Sequence, residues 1–170
     1  MILKKYSPAL VTGFAVAVLS LIPVFKVLAC CFLVPAASFF ALFFYLKINP
    51  GTEKIKFEEA MMFGLLTGVV AAIFSSALDL VLTYITRTND LIESLPYSSK
   101  MLEEYKMGDI FKEQFKILNI MEKDIKNTGF SLYYMFMIIF SNLLSFTFFG
   151  LLGGLAGMAI LNKKKTNNAL

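Results

Sequence analysis

"AMMFGLLTGVVAAIFSSALDLVLTYIT", residues 60–86, is a run of 27 residues whose only charged side chain is Asp79. A helix needs about 20 predominantly apolar residues to cross a hydrocarbon core ~30 Å thick. This run meets that length with about two turns left over. It predicts a membrane-spanning helix, and it poses the question of why such a helix carries a carboxylate.

The rest of the chain repeats the pattern. Of 170 residues, 58% are hydrophobic and 16% charged, whereas soluble domains are roughly half apolar and a quarter charged. The excess is gathered into four blocks, which predict spans at about 6–25, 27–46, 60–86 and 129–162. Pro23 and Lys26 mark a tight turn between the first two. Pro8 suits a first helical turn, and Pro35 should kink the second span, a defect that membrane helices tolerate. "VLAC" ending at Cys30 loosely resembles a lipoprotein cleavage box, but Lys26 before it and the apolar run after it oppose cleavage. The fold class is therefore an all-α membrane protein with four transmembrane helices. A short first hairpin is followed by a long second one that carries an extracytoplasmic amphipathic helical insert at 87–128. Residues 1–170 read as a single integral membrane domain.

Basic residues in short loops set the orientation. With both termini cytoplasmic, the inner side holds Lys4, Lys5, Lys47, Lys54, Lys56, Lys163, Lys164 and Lys165 against Glu53, Glu58 and Glu59, a net of +5. The segment from Arg87 to Lys126 has seven basic and eight acidic residues, a net of −1, and is expected outside. Within it Met107, Ile110, Phe111, Phe115, Leu118, Met121 and Ile125 recur at helical spacing. Two amphipathic pieces broken near Gly108 are expected, their apolar face lying on the membrane or on the bundle, or docking another protein.

Nineteen uncharged residues separate Glu59 from Asp79, one hydrocarbon thickness at ~1.5 Å each. Asp79 is thus expected at the outer boundary of the core. The 36 uncharged residues between Lys126 and Lys163 are likewise too many for one upright span. Counting back from Lys163 brings Asn142 to the same boundary, with Tyr133 and Tyr134 as interfacial aromatic residues. Small residues line one stripe on each helix: Gly64, Gly68, Ala71 and Ser75 leading to Asp79, and Asn142, Ser145, Phe149, Gly153 and Gly157. Small stripes let helix backbones approach closely in lipid. Matching depths pairs Gly64 with Gly157, Gly68 with Gly153, and Asp79 with Asn142. "FGLLGGLAG" (149–157) also offers a second face, for this chain or for a second protomer. Weaker stripes run through Ala9, Gly13, Ala17 and Ser20, and through Cys30, Ala37 and Ala41.

Concentrated chemistry is absent from the sequence. Without histidine, the usual general base, most zinc sites and the commonest haem ligand are missing. Adjacent Cys30 and Cys31 read as inert packing. Glu58 and Glu59 point about 100° apart on a helix and suit its N-terminal dipole. No catalytic, cofactor or metal residues are assigned, and the short basic clusters do not suggest nucleic-acid binding.

The layout "KIKFEEAMMFGLLTG" (54–68), a long charged amphipathic insert, then "FFGLLGGLAGMAILNKKK" (148–165) resembles a family of small bacterial four-span membrane proteins, domain-of-unknown-function family 4199. The similarity covers 54–165. It implies a multi-pass protein of the bacterial inner membrane with this topology; the family has no established activity to carry over. The functional expectation is a non-enzymatic integral membrane protein, an accessory or scaffold subunit that works by helix packing and its outer insert. Its partners would be membrane lipids and either further copies of itself or another membrane protein. The alternative is a small oligomeric transporter or channel using Asp79.

Overall fold

The computed structural model describes residues 2–51, 54–104 and 108–168. Every regular element among them is helical: α1 (Ile2–Leu19), α2 (Pro23–Leu28), a π-helical segment (Ala29–Leu33), α3 (Val34–Ile48), α4 (Phe57–Thr86), α5 (Asp90–Glu104), α6 (Gly108–Thr128) and α7 (Leu132–Asn168). Three stretches are long and apolar enough to cross a membrane: Ala29–Ile48, Phe57–Thr86 and Leu132–Lys163. The first apolar block is shorter than expected, with its apolar helix at Lys5–Leu19. The chain turns at Ser20–Ile22, where Leu21 and Ile22 donate to Val18 and Leu19. Pro23 thus opens α2 instead of sitting in the turn, because its fixed φ suits a first helical position.

Pro35 distorts its helix through the π segment. Val34 N–H reaches back to the Ala29 carbonyl just before the proline, which has no N–H to continue the ladder.

The chain forms two compact units, Met1–Leu78 with Ile139–Leu170, and Asp79–Ile138. Residues 79–86 of α4 and 132–138 of α7 belong to the second unit.

In the first unit α1 and α4 run in one direction and α3 and α7 in the other. Lys5 meets Glu59 and Ser20 meets Ser75, so α1 is parallel to α4. Glycines set the closest approaches. A Cβ on Gly64 would strike the Gly150 carbonyl, and one on Gly68 would strike the Phe146 carbonyl and lie 2.8 Å from Thr147 Cα. A Cβ on Gly154 would strike the Ala60 carbonyl. Gly13 brings α1 onto α4, with 2.8 Å between its would-be Cβ and the Thr67 carbonyl.

The expected pairing of Gly64 with Gly157 and Gly68 with Gly153 is corrected by these contacts. The α7 stripe facing α4 is Phe146, Gly150 and Gly154. Gly153 and Gly157 instead face α3, at Pro35 and at Phe39 and Leu42. The second glycine face of α7 is therefore used inside the chain. Two apolar clusters fill the unit, one around Ala9, Leu42, Ile55, Phe63 and Leu161, the other around Val16, Val34, Ala71 and Phe146.

The second unit has its own core. Leu118, Met121 and Ile125 of α6 turn onto Leu91 and Ile92 of α5 and onto Leu80, Tyr134 and Ile138. Phe115 is half-buried, while Met107 and the side chains of Ile110 and Phe111 lie outside the described residues. Helix α5 starts earlier than the periodicity indicates. Asn89 caps it, its Oδ1 accepting the Ile92 N–H at 2.9 Å, and buried Ile92 and Leu95 hold the turn despite Pro96. Gly129, at φ 79°, ends α6 in the left-handed region against the Tyr84 carbonyl.

Candidate functional site

The buried polar residues of α4 are concentrated near the position that the sequence singles out. Ser75, Ser76, Asp79 and Thr83 are all buried, Asp79 at 6% exposure. An ionised carboxylate removed from water is costly unless it is bonded, so this region is the first candidate.

In the first unit its hydroxyls bond to neighbouring helices. Ser75 Oγ lies 2.9 Å from Ser20 Oγ at the end of α1. Asn142 Nδ2 donates to Ser76 Oγ at 3.0 Å. Both bonds join helices between groups that hydrocarbon would leave unsatisfied. In the second unit, Thr83 Oγ1 approaches the Tyr134 hydroxyl at 3.5 Å. Tyr134 is buried and thus faces inward instead of joining an interfacial belt. Tyr133 is exposed.

A second polar locus lies at the opposite end of the first unit. Glu59 Oε1 accepts from Lys5 Nζ at 2.8 Å and from the Tyr45 hydroxyl at 3.1 Å. Its Oε2 accepts the Lys56 N–H at 3.4 Å, the reach from third helical residue to cap that steadies a helix start. The Lys5 ammonium also sits 5.5 Å from the centre of the Tyr45 ring. Beside it, Asn162 bonds both backbone groups of Ile55, Oδ1 taking the N–H at 2.9 Å and Nδ2 giving to the carbonyl at 3.0 Å. Sequence reasoning assigned Glu59 to the helix start but missed Tyr45 and Asn162. The one available signal for Asn162 was an amide at the end of a long apolar run, just before "KKK".

Close packing leaves some polar atoms unsatisfied. Ser38 Oγ, Thr67 Oγ1 and Thr147 Oγ1 are buried without a hydrogen-bond partner, so these side chains serve by their small size. Cys30 is half-buried and Cys31 exposed, both as free thiols. Among the described residues, no three of the Cys, Asp and Glu side chains gather closely enough to hold a metal ion. The arrangement can join helices and hold one buried carboxylate.

Comparison with family models, with curated proteins and with solved structures found no match.

Proposed function

We propose that this chain is a non-enzymatic, four-pass protein of the bacterial inner membrane, with both termini cytoplasmic, acting as an accessory or scaffold subunit. The observation that carries the reading is how the first unit uses its polar and small residues. Glycines are spent on backbone contact between α4, α7 and α3, and Ser20, Ser75, Ser76 and Asn142 on bonds between helices. Such residues build a rigid assembly and leave little to line a pathway.

The alternation of helix directions favours an even number of passes. Lys5, Tyr45, Glu59 and Asn162, from α1, α3, α4 and α7, share the end of the unit to which the lysine bias assigns the cytoplasm. The second unit, with its own core, is then the outer element offered to a partner.

Single cysteines in a background lacking Cys30 and Cys31 test the topology. Lys100→Cys should react with an impermeant maleimide on intact spheroplasts and Lys165→Cys only after lysis; the reverse pattern would overturn the orientation.

Purification in mild detergent followed by native mass spectrometry tests the role, and a stoichiometric second protein is the expected result. The transport alternative is favoured by the burial of Asp79. In proteoliposomes, cation flux should equal that of empty vesicles for both wild type and Asp79→Asn. A homo-oligomer with a flux that Asp79→Asn abolishes would replace the scaffold reading with transport.

A further inference from the structure

Two of the surface grooves of the first unit differ in chemistry. One runs along α7 between Phe140 and Leu151 and includes no charged residue. The other, of about 350 Å³, lies between α1 and α3 and is lined by Ser7, Pro8, Val11, Phe44, Lys47 and Ile48. Helices α1 and α3 are antiparallel, so Ser7, Pro8, Lys47 and Ile48 occupy the charged end of the groove, with Val11 and Phe44 one turn deeper. An apolar trough that ends in a cation has the polarity of an amphipath.

Lys47 is the cation available there. Lys5 is engaged by Glu59 at 2.8 Å, whereas Lys47, in the last turn of α3, has no carboxylate partner among the described residues. Its ammonium stands 5.3 Å from the centre of the Phe43 ring. That ring supports the lysine stem at the groove mouth without neutralising its charge.

We propose that the α1–α3 groove is a site for a membrane phospholipid, one acyl chain lying along Val11 and Phe44 and the anionic headgroup paired with Lys47. The inference rests on the membrane reading above and adds a ligand class to it. Charge complementarity selects an anionic headgroup over a zwitterionic one, whose own ammonium would face Lys47.

The test is native mass spectrometry of the detergent-purified protein, offered equal amounts of phosphatidylglycerol and phosphatidylcholine with identical chains. Wild type should retain phosphatidylglycerol preferentially. One lysine at a membrane surface is worth about a five-fold preference, so Lys47→Gln should lower the ratio of retained lipids by about that factor. Val11→Trp, at a position 66% exposed and so safe for folding, should fill the groove and remove the preferred lipid. Leu144→Trp in the α7 groove should leave the preference intact. No preference in wild type, or an unchanged ratio in Lys47→Gln or Val11→Trp, would overturn the site. So would loss of the preference in Leu144→Trp. Displacement of the lipid by excess inorganic phosphate would overturn the lipid assignment in favour of a free anion. Recovery of the protein from the aqueous fraction without detergent would instead defeat the membrane reading itself, a result separable from every lipid ratio.

Discussion

Gly68→Leu is expected to destabilise the first unit by about 3 kcal/mol, seen as a lower thermal midpoint in mild detergent and a lower folded yield. The Cβ alone collides with the Phe146 carbonyl and comes within 2.8 Å of Thr147 Cα. These are backbone atoms of a neighbouring helix, which cannot rotate aside as a side-chain tip can. The substitution gains about 1 kcal/mol of helix propensity over glycine, so the sign depends on the clash, and a main-chain collision outweighs that gain. Lipid provides no hydrophobic drive to hold the helices together while they adjust, because acyl chains are as apolar as leucine. Gly153→Leu should act similarly through a different neighbour, since its Cβ would meet Pro35 Cα and the Pro35 carbonyl. Gly51→Ala is the control, with nothing within 4 Å of the added methyl. An unchanged midpoint for both leucine variants would eliminate the glycine seam.

Residue type and run length made the long helices legible, but not their rotation. Apolar runs of more than 20 residues with at most one charge have few alternatives to a spanning helix, and those of α4 and α7 are of this kind. "FGLLGGLAG", however, contains two stripes, Gly150 with Gly154 and Gly153 with Gly157. Spacing alone cannot say which faces α4, because the answer depends on α3, whose backbone comes close at Pro35 and Phe39. Depth-matching from the charged ends also erred, by more than one turn. It took Glu59 and Lys163 as level, but Ile55 and Leu161 are buried in the same cluster as Ala60. The apolar interior thus continues past Glu59 toward the loop. The buried polar character of α4 near Asp79 was legible from a single charge in an apolar run. A helical piece before Gly108 was legible, but not its start at Asp90, because Pro96 and its neighbouring serines argue locally against a helix, and only burial of Ile92 and Leu95 decides for one.

Asn162→Leu is expected to free the segment joining α3 to α4 and to destabilise the first unit by about 2–4 kcal/mol, the cost of leaving two backbone groups unpaired. Ile55 is buried at 3% exposure, so water cannot readily replace the amide that now satisfies its N–H and carbonyl. Leucine keeps the number and branching of asparagine's side-chain heavy atoms but can neither donate nor accept, so it removes both hydrogen bonds. Asn162→Asp separates them: the carboxylate can still accept the Ile55 N–H, but it repels the carbonyl that Nδ2 now serves. Hydrogen exchange at the Ile55 amide should therefore accelerate strongly in Asn162→Leu and less in Asn162→Asp. The effect should spread to the start of α4, because Lys56 gives its N–H to Glu59 and Glu59 in turn holds Lys5 and Tyr45. Loosening Ile55 thus weakens the cluster that joins α1, α3 and α4 at this end. Wild-type exchange at Ile55 in Asn162→Leu would show that the clamp is not what holds the segment, and would leave burial of Ile55 against Leu161 as the fastening.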